Sequence, residues 1–237
     1  MAEYTDVHRA FLQAVSNHGT IGEQQAYNIL VNIYARYGST ESVPNEEDVA
    51  EVVAMINTRI ARFDQKICYI HYEPTDMDYV VFVNLIDTPA TRVMHNFYTE
   101  PELHYFRYLL RELVQNPDHQ LPLIACLNFT TLSAGKGGKP IAKTRAESLL
   151  SDWEQYGYFL MLEDKCYLGP RTITEFETYL STHFPDEIKH CSLCNITIYY
   201  GVRCAHCSHT LHKKCMQKYL RKFTNCPACK GLWTVKL

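Results

Sequence analysis

Apolar side chains recur at helical spacing three times before residue 65. Val7, Phe11, Leu12 and Val15 mark a helix over Thr5–Ser16, which Asn17-His18-Gly19 stops. Ala26, Ile29, Leu30, Ile33 and Tyr34 mark a second over Gly22–Tyr37, ended by Gly38. Val49, Val52, Val53, Ile56 and Ile60 line a third over Glu46–Phe63, behind Pro44-Asn45. Two β-rich runs follow, Lys66–Tyr72 and Tyr79–Ile86, separated by the polar turn Glu73-Pro74-Thr75-Asp76. Three helices and a two-stranded hairpin is the order of a winged helix.

The order recurs without an obvious sequence repeat. A helix is predicted over Glu102–Gln115, ended by Asn116-Pro117, and Leu121–Leu132 leads into the glycine-rich loop Gly135-Lys136-Gly137-Gly138-Lys139-Pro140. A helix over Thr144–Tyr156 carries Ala146, Leu149, Leu150 and Trp153. Tyr158–Leu162 and Cys166–Leu168 form a hairpin about Glu163-Asp164, Gly169-Pro170 closes it, and a last helix spans Thr172–Thr182 before a hinge at Pro185. The fold class expected is α+β multidomain: two tandem winged-helix domains over residues 1–95 and 96–184, then a small metal-binding domain over 185–237.

Charge is distributed unevenly across this organisation. From Ile188 onward there are nine Lys or Arg and no Asp or Glu, leaving 14 basic against 26 acidic side chains on residues 1–187. A basic tail (Lys213, Lys214, Lys218, Arg221, Lys222) can attract nucleic acid or an acidic protein face, or simply keep a small domain soluble. Lys136, Lys139, Lys143 and Arg145, near the start of the second unit's hairpin-preceding helix, are candidate nucleic-acid contacts. The acidity of residues 1–187 opposes autonomous duplex binding. The glycine loop is no phosphate-cradling P-loop, because Pro140 follows Lys139 where Ser or Thr would be needed. The opening MAEYTDVHRAFLQAV has no apolar secretory core, and no run reaches the roughly 18 apolar residues of a membrane span. A soluble intracellular protein is expected, in which reduced thiols favour metal over disulfides.

Seven of the ten cysteines lie between Cys191 and Cys229, as Cys191-x2-Cys194, Cys204-x2-Cys207, His212-x2-Cys215 and Cys226-x2-Cys229. Eight soft donors suit two tetrahedral zinc ions. Their order resembles the cross-brace of RING and plant-homeodomain fingers, in which the first and third knuckles share one metal. That resemblance assigns Cys191, Cys194, His212 and Cys215 to one site and Cys204, Cys207, Cys226 and Cys229 to the other. His206 and His209 are then surface residues, since choosing His206 would strand Cys207. The gap of four between Cys207 and His212 is typical of plant-homeodomain fingers, yet Thr224 stands where those carry an aromatic. Leu193 and Pro227 resemble the apolar positions with which RING domains grip a ubiquitin-conjugating enzyme. Lys230 stands where many RING ligases have a bridging arginine.

Taken together, the segment Thr5–Gln13, the Trp153–Gly169 helix and wing, Phe184-Pro185-Asp186 and the eight-ligand pattern resemble the family of RING-like non-SMC element one subunits of the SMC five–six complex. The family implies tandem winged helices with a variant RING, binding to a MAGE-family subunit and a kleisin, and DNA contact by that trimer. It further implies nuclear, chromosome-associated action in DNA repair, with ubiquitin ligase activity that the MAGE partner promotes. The alternative is a structural adaptor whose zinc module is a docking surface. Tyr98, Phe106 and Tyr108 are candidates for the partner-facing surface, set against a role in the core.

Overall fold

In the computed structural model, which describes residues 3–38, 44–85, 97–132 and 140–237, the first apolar repeat folds as helix α1 (Asp6–His18). It buries Val7, Phe11 and Val15 and ends at Gly19, whose φ of 71° suits a residue without Cβ. Strand β1 (Thr20–Gly22) leads into α2 (Glu23–Tyr37). Helix α3 (Glu46–Ile60) starts with a reciprocal cap: Asn45 Oδ1 accepts from the Glu47 and Asp48 N–H groups, and Asp48 accepts from Asn45 N–H. A 3-10 turn over Ala61–Phe63 completes the third predicted helix.

Strands β2 (Gln65–Tyr72) and β3 (Met77–Asn84) then pair antiparallel, with Ile67 opposite Phe82. The sheet has three strands, not two, in the order β1-β3-β2. Three-residue β1 carries no readable alternation, and only pairing with Val81, Val80 and Tyr79 makes it a strand. Phe11, Ala26, Leu30, Ile56, Ile67 and Val80 are among the side chains that close this core.

The second unit repeats the order. Helix α4 (Glu100–Gln115) is followed by β4 (Gln120–Pro122), α5 (Leu123–Leu132), α6 (Lys143–Gln155), β5 (Phe159–Leu162) and β6 (Lys165–Leu168). Its sheet order is β4-β6-β5, again with a short third strand. Fully buried Trp153 sits at the centre, with Tyr98, Tyr105, Phe106 and Phe159 at 5.1–5.9 Å between ring centroids. Phe106 is therefore core and offers no partner surface. Tyr98 and Tyr108 are half-buried, the latter edge-on to Phe129. The expected single helix over Thr172–Thr182 is two, α7 (Pro170–Glu175) and α8 (Glu177–His183). They break at Phe176, whose ring stacks on Tyr158 and so turns into the core.

The two units meet closely. Helix α7 packs on β3, and its Arg171 forms a buried pair with Glu175 at 2.6 Å while lying 4.6 Å over the Tyr158 ring. Gly19 and Gly157 keep this seam tight. A Cβ on Gly19 would lie 2.5 Å from the Arg171 guanidinium, and one on Gly157, at φ 78°, would lie 2.2 Å from Thr20 Oγ1. The C-terminal module adds two small hairpins, β7 (Lys189–His190) with β8 (Thr197–Ile198) and β9 (Val202–Arg203) with β10 (Thr210–Leu211), and helix α9 (Lys213–Leu220). Its Tyr200 hydroxyl accepts from Leu168 N–H and donates to the His119 carbonyl, while Tyr72 of β2 donates to the Leu168 carbonyl at 2.6 Å. All three parts of the chain meet at these groups. No helix among the described residues is long and apolar enough to cross a membrane.

Candidate metal centre

Three knuckles of the module share one backbone design. Asn195, Ser208 and Lys230, each directly after the second cysteine of its pair, adopt left-handed φ of 59°, 56° and 62°. That turn lets their N–H groups bond the carbonyls of Cys191, Cys204 and Cys226 at 2.7, 2.9 and 3.0 Å. The loop is closed from the other side, where Cys191, Cys204 and Cys226 donate N–H to the carbonyls of Ile196, His209 and Gly231. Each pair of thiols thus faces the same way. The fourth pair is built differently: His212 is the N-cap of α9 and Cys215 lies in its first turn.

The folded chain gathers the eight donors into two clusters, Cys191/Cys194/His212/Cys215 and Cys204/Cys207/Cys226/Cys229, with donor atoms in each within 4.8 Å of one another. A tetrahedron with zinc–sulfur bonds of about 2.3 Å has sulfur–sulfur edges of about 3.8 Å. Cys204–Cys229 and Cys207–Cys226 stand at 3.8 and 3.9 Å, and His212 Nδ1 lies 3.4 and 3.9 Å from the Cys194 and Cys215 sulfurs. Each cluster therefore fits a tetrahedral metal ion with soft donors. His212 points Nδ1 inward because Nε2 faces the Thr197 carbonyl at 3.2 Å, an outer contact that sets the tautomer. Burial holds its imidazole below the ordinary pKa, in the neutral form a ligand requires. N–H groups of Cys207 and His206 bring the Cys204 thiol down to about 6. At Cys191 burial pushes the thiol up, but N–H groups of His212, Leu193 and Cys194 outweigh it and the net shift is down. His206 is exposed, and His209 contacts Ser192 instead of either cluster.

The expected docking residues are placed less openly. Leu193 is half-buried against the Cys191, Leu211 and Met216 core, and Pro227 is half-buried too, so this apolar pair is partly covered. Lys230 is exposed, but its ammonium turns back to the Pro227 carbonyl at 3.0 Å. Ile196, Phe223 and Leu232 are the module's exposed large apolar side chains, none of which the spacing argument singled out.

The basic tail is partly engaged within the chain. Lys213 pairs with Asp76 at 2.7 Å and Lys214 with Asp78 at 3.1 Å, and Glu73 accepts the Lys213 backbone N–H at 2.8 Å. His71 lies between the two aspartates, with Nδ1 2.9 Å from Asp78. Lys213 holds the Asp76 carboxyl below its ordinary range. Burial would raise Asp78, but its bonds with Lys214 and His71 prevail and lower it. Glu73, Asp76 and Asp78 form a docking surface that sequence reasoning missed; the signal was the acidic hairpin turn set against the basic tail. Arg203, beside the second cluster, reaches Asp118 and the Pro117 carbonyl of the second unit. Lys218, Arg221 and Lys222 carry no ion pair among the described residues.

Of the candidate nucleic-acid residues, Lys136 and Lys139 lie outside the described residues. Lys143 is exposed at the start of α6, whereas Arg145 is committed to Glu102 at 2.6 Å. That pairing, with N–H and hydroxyl bonds from Thr99, keeps the Glu102 carboxyl ionised against the burial that would raise it. Arg145 thereby braces α6 on α4.

Residues 8–165 match the family model described as the Nse1 non-SMC component of the SMC5-6 complex, and residues 191–229 match a RING-like domain. Relatives named non-structural maintenance of chromosomes element 1 homolog include one from Drosophila melanogaster, 33% identical and covering 98% of this chain and 97% of its own length. Another from Homo sapiens is 27% identical over 98% of this chain and 86% of its own length. A chain in a solved structure titled Nse1-Nse3-Nse4 complex has the same fold, with a TM-score of 0.83 at 22% identity and complete coverage of both chains.

Proposed function

Since the chain belongs to the family of Nse1 non-SMC components of the SMC5-6 complex, we propose that it is a RING-type ubiquitin ligase subunit holding two structural zinc ions. One observation carries the reading: two interleaved four-donor clusters of tetrahedral dimensions, in a region with RING-like sequence. The zinc ions hold the module folded and attack nothing. Catalysis is then orientation: the module holds a charged conjugating enzyme so that its thioester meets a substrate lysine. Leu193 and Pro227 supply part of the grip through the surface they leave open, and Lys230 supplies a point charge toward ubiquitin, weaker than the fork of an arginine.

Residues 1–95 and 96–184 form two winged-helix domains in this reading, and 185–237 the variant RING. The three-stranded antiparallel sheet in each unit, with helices preceding its closing hairpin, supports that division. The winged helices bind a MAGE-family subunit and a kleisin. Support comes from the likeness in fold to the chain of the Nse1-Nse3-Nse4 complex. The assembly acts in nuclear, chromosome-associated DNA repair. Among the described candidates for a DNA contact, Lys143, Lys218, Arg221 and Lys222 carry no ion pair and are the ones left open to it.

The test is ubiquitin transfer by the purified chain with a conjugating enzyme, alone and with its MAGE-family partner. Transfer that rises with the partner is expected; none in either case, with both metals bound, overturns the ligase. A second reading, a structural adaptor, is favoured by partly covered Leu193 and inward-turned Lys230. It predicts that Cys226→Ala disrupts assembly while Pro227→Ala leaves function intact.

A further inference from the structure

We propose that the acidic turn between β2 and β3 positions the ligands of the first metal cluster, so that filling this cluster and docking the turn on α9 are one linked equilibrium. This rests on the zinc reading of the clusters. Two of the four donors, His212 and Cys215, belong to the N-cap and first turn of α9. A helix needs its first N–H groups satisfied, usually by the N-cap side chain. Here the N-cap is His212, whose ring faces the cluster and makes no cap bond. Glu73, 140 positions before Lys213, supplies the missing acceptor by taking the Lys213 N–H at 2.8 Å. Its negative charge also sits at the positive end of the helix dipole. Asp76 and Asp78 then hold Lys213 and Lys214, which lie between the ligand histidine and cysteine. The first turn of α9 is thus tied into the donor cluster on one side and held by the hairpin on the other. The second cluster shares none of these contacts; its neighbour Arg203 reaches Asp118 and Pro117 instead.

Because linkage is reciprocal, losing the hairpin contact weakens metal at the first cluster alone, and filling that cluster protects the turn. The full-length chain, stripped of metal under reducing conditions, is titrated with Co2+. Cobalt absorption distinguishes the first cluster, with its three thiolates and one imidazole, from the all-thiolate second cluster. Glu73→Ala, which removes the acceptor together with its charge, is expected to weaken the first cluster roughly tenfold, the scale of a charge-assisted cap. The second cluster stays unchanged, and Asp118→Asn leaves the first cluster at its wild-type affinity. Backbone hydrogen exchange across Glu73–Asp78 slows when cobalt fills the first cluster. If Glu73→Ala shifts both sites together or neither, or if exchange at the turn ignores the metal, the linkage is wrong. A wild-type chain that takes up no cobalt at all overturns the metal reading itself, a result distinguishable from the other two.

Discussion

Arg171 and Glu175 are an ion pair whose side chains keep only 11% and 10% of their exposure, and both carry the seam between the first two units. Burial pushes the Glu175 carboxyl up and the Arg171 charge opposes it, so each depends on the other. Removing one partner leaves an uncompensated charge, and Glu175→Ala should cost about 3–5 kcal/mol in denaturant unfolding. Replacing both by Met and Leu should recover most of that loss, since the desolvation cost disappears with the charges. Gly157→Ala should also destabilise the chain, by about 1–2 kcal/mol or more. Its φ of 78° is left-handed and its Cβ would strike Thr20; a thermal scan matching wild type would show that the seam relaxes instead. Neither effect was legible in the sequence. What Gly157 and Arg171 each pack against lies on another element, so no local pattern marks them.

At the scale of elements, helices with a clear apolar stripe were readable to within a few residues, as α1 and α3 show. Elements that depend on partners were not. Strands β1 and β4 exist through pairing with β3 and β6, and α7 and α8 separate because Phe176 turns inward. The knuckles are the opposite case, since the two-residue gap dictates the loop in three of the four. Cys226→Ser should therefore lower bound zinc from two ions to one while α1–α6 stay folded, measured by metal content and circular dichroism. The hairpin–α9 contact has a definite pH sense. Asp76 and Asp78 have folded-state pKa values below their unfolded ones, so their contribution is present above the unfolded carboxylate range and lost as pH falls through the folded values. The stability difference between wild type and the double variant Asp76→Asn, Asp78→Asn should hold steady across the neutral range, vanish in strong acid, and shrink with added salt. A difference that grows on acidification would have the sign wrong.

Across the whole molecule, the acidic body and basic tail meet as an internal interface. Lys213 and Lys214 bind the first unit and Arg203 the second, while Tyr200 enters the groups around Leu168. Chelating the metals should unfold the module and leave the second core intact. With Trp233 replaced by Phe, emission from buried Trp153 should then remain unshifted; a red shift would mean that module and core unfold together. Apolar periodicity and donor spacing are local properties, and they located the striped helices, the β2–β3 and β5–β6 hairpins and the eight candidate donors. Pairing of the knuckles came from resemblance, and the folded chain supplies its geometry. Which cations remain free, how far Leu193 stays open, and which glutamate caps α9 depend on segments as much as 140 positions apart. Such contacts leave no periodic trace along the chain, because burial and charge pairing between distant segments exist only once the three parts have packed.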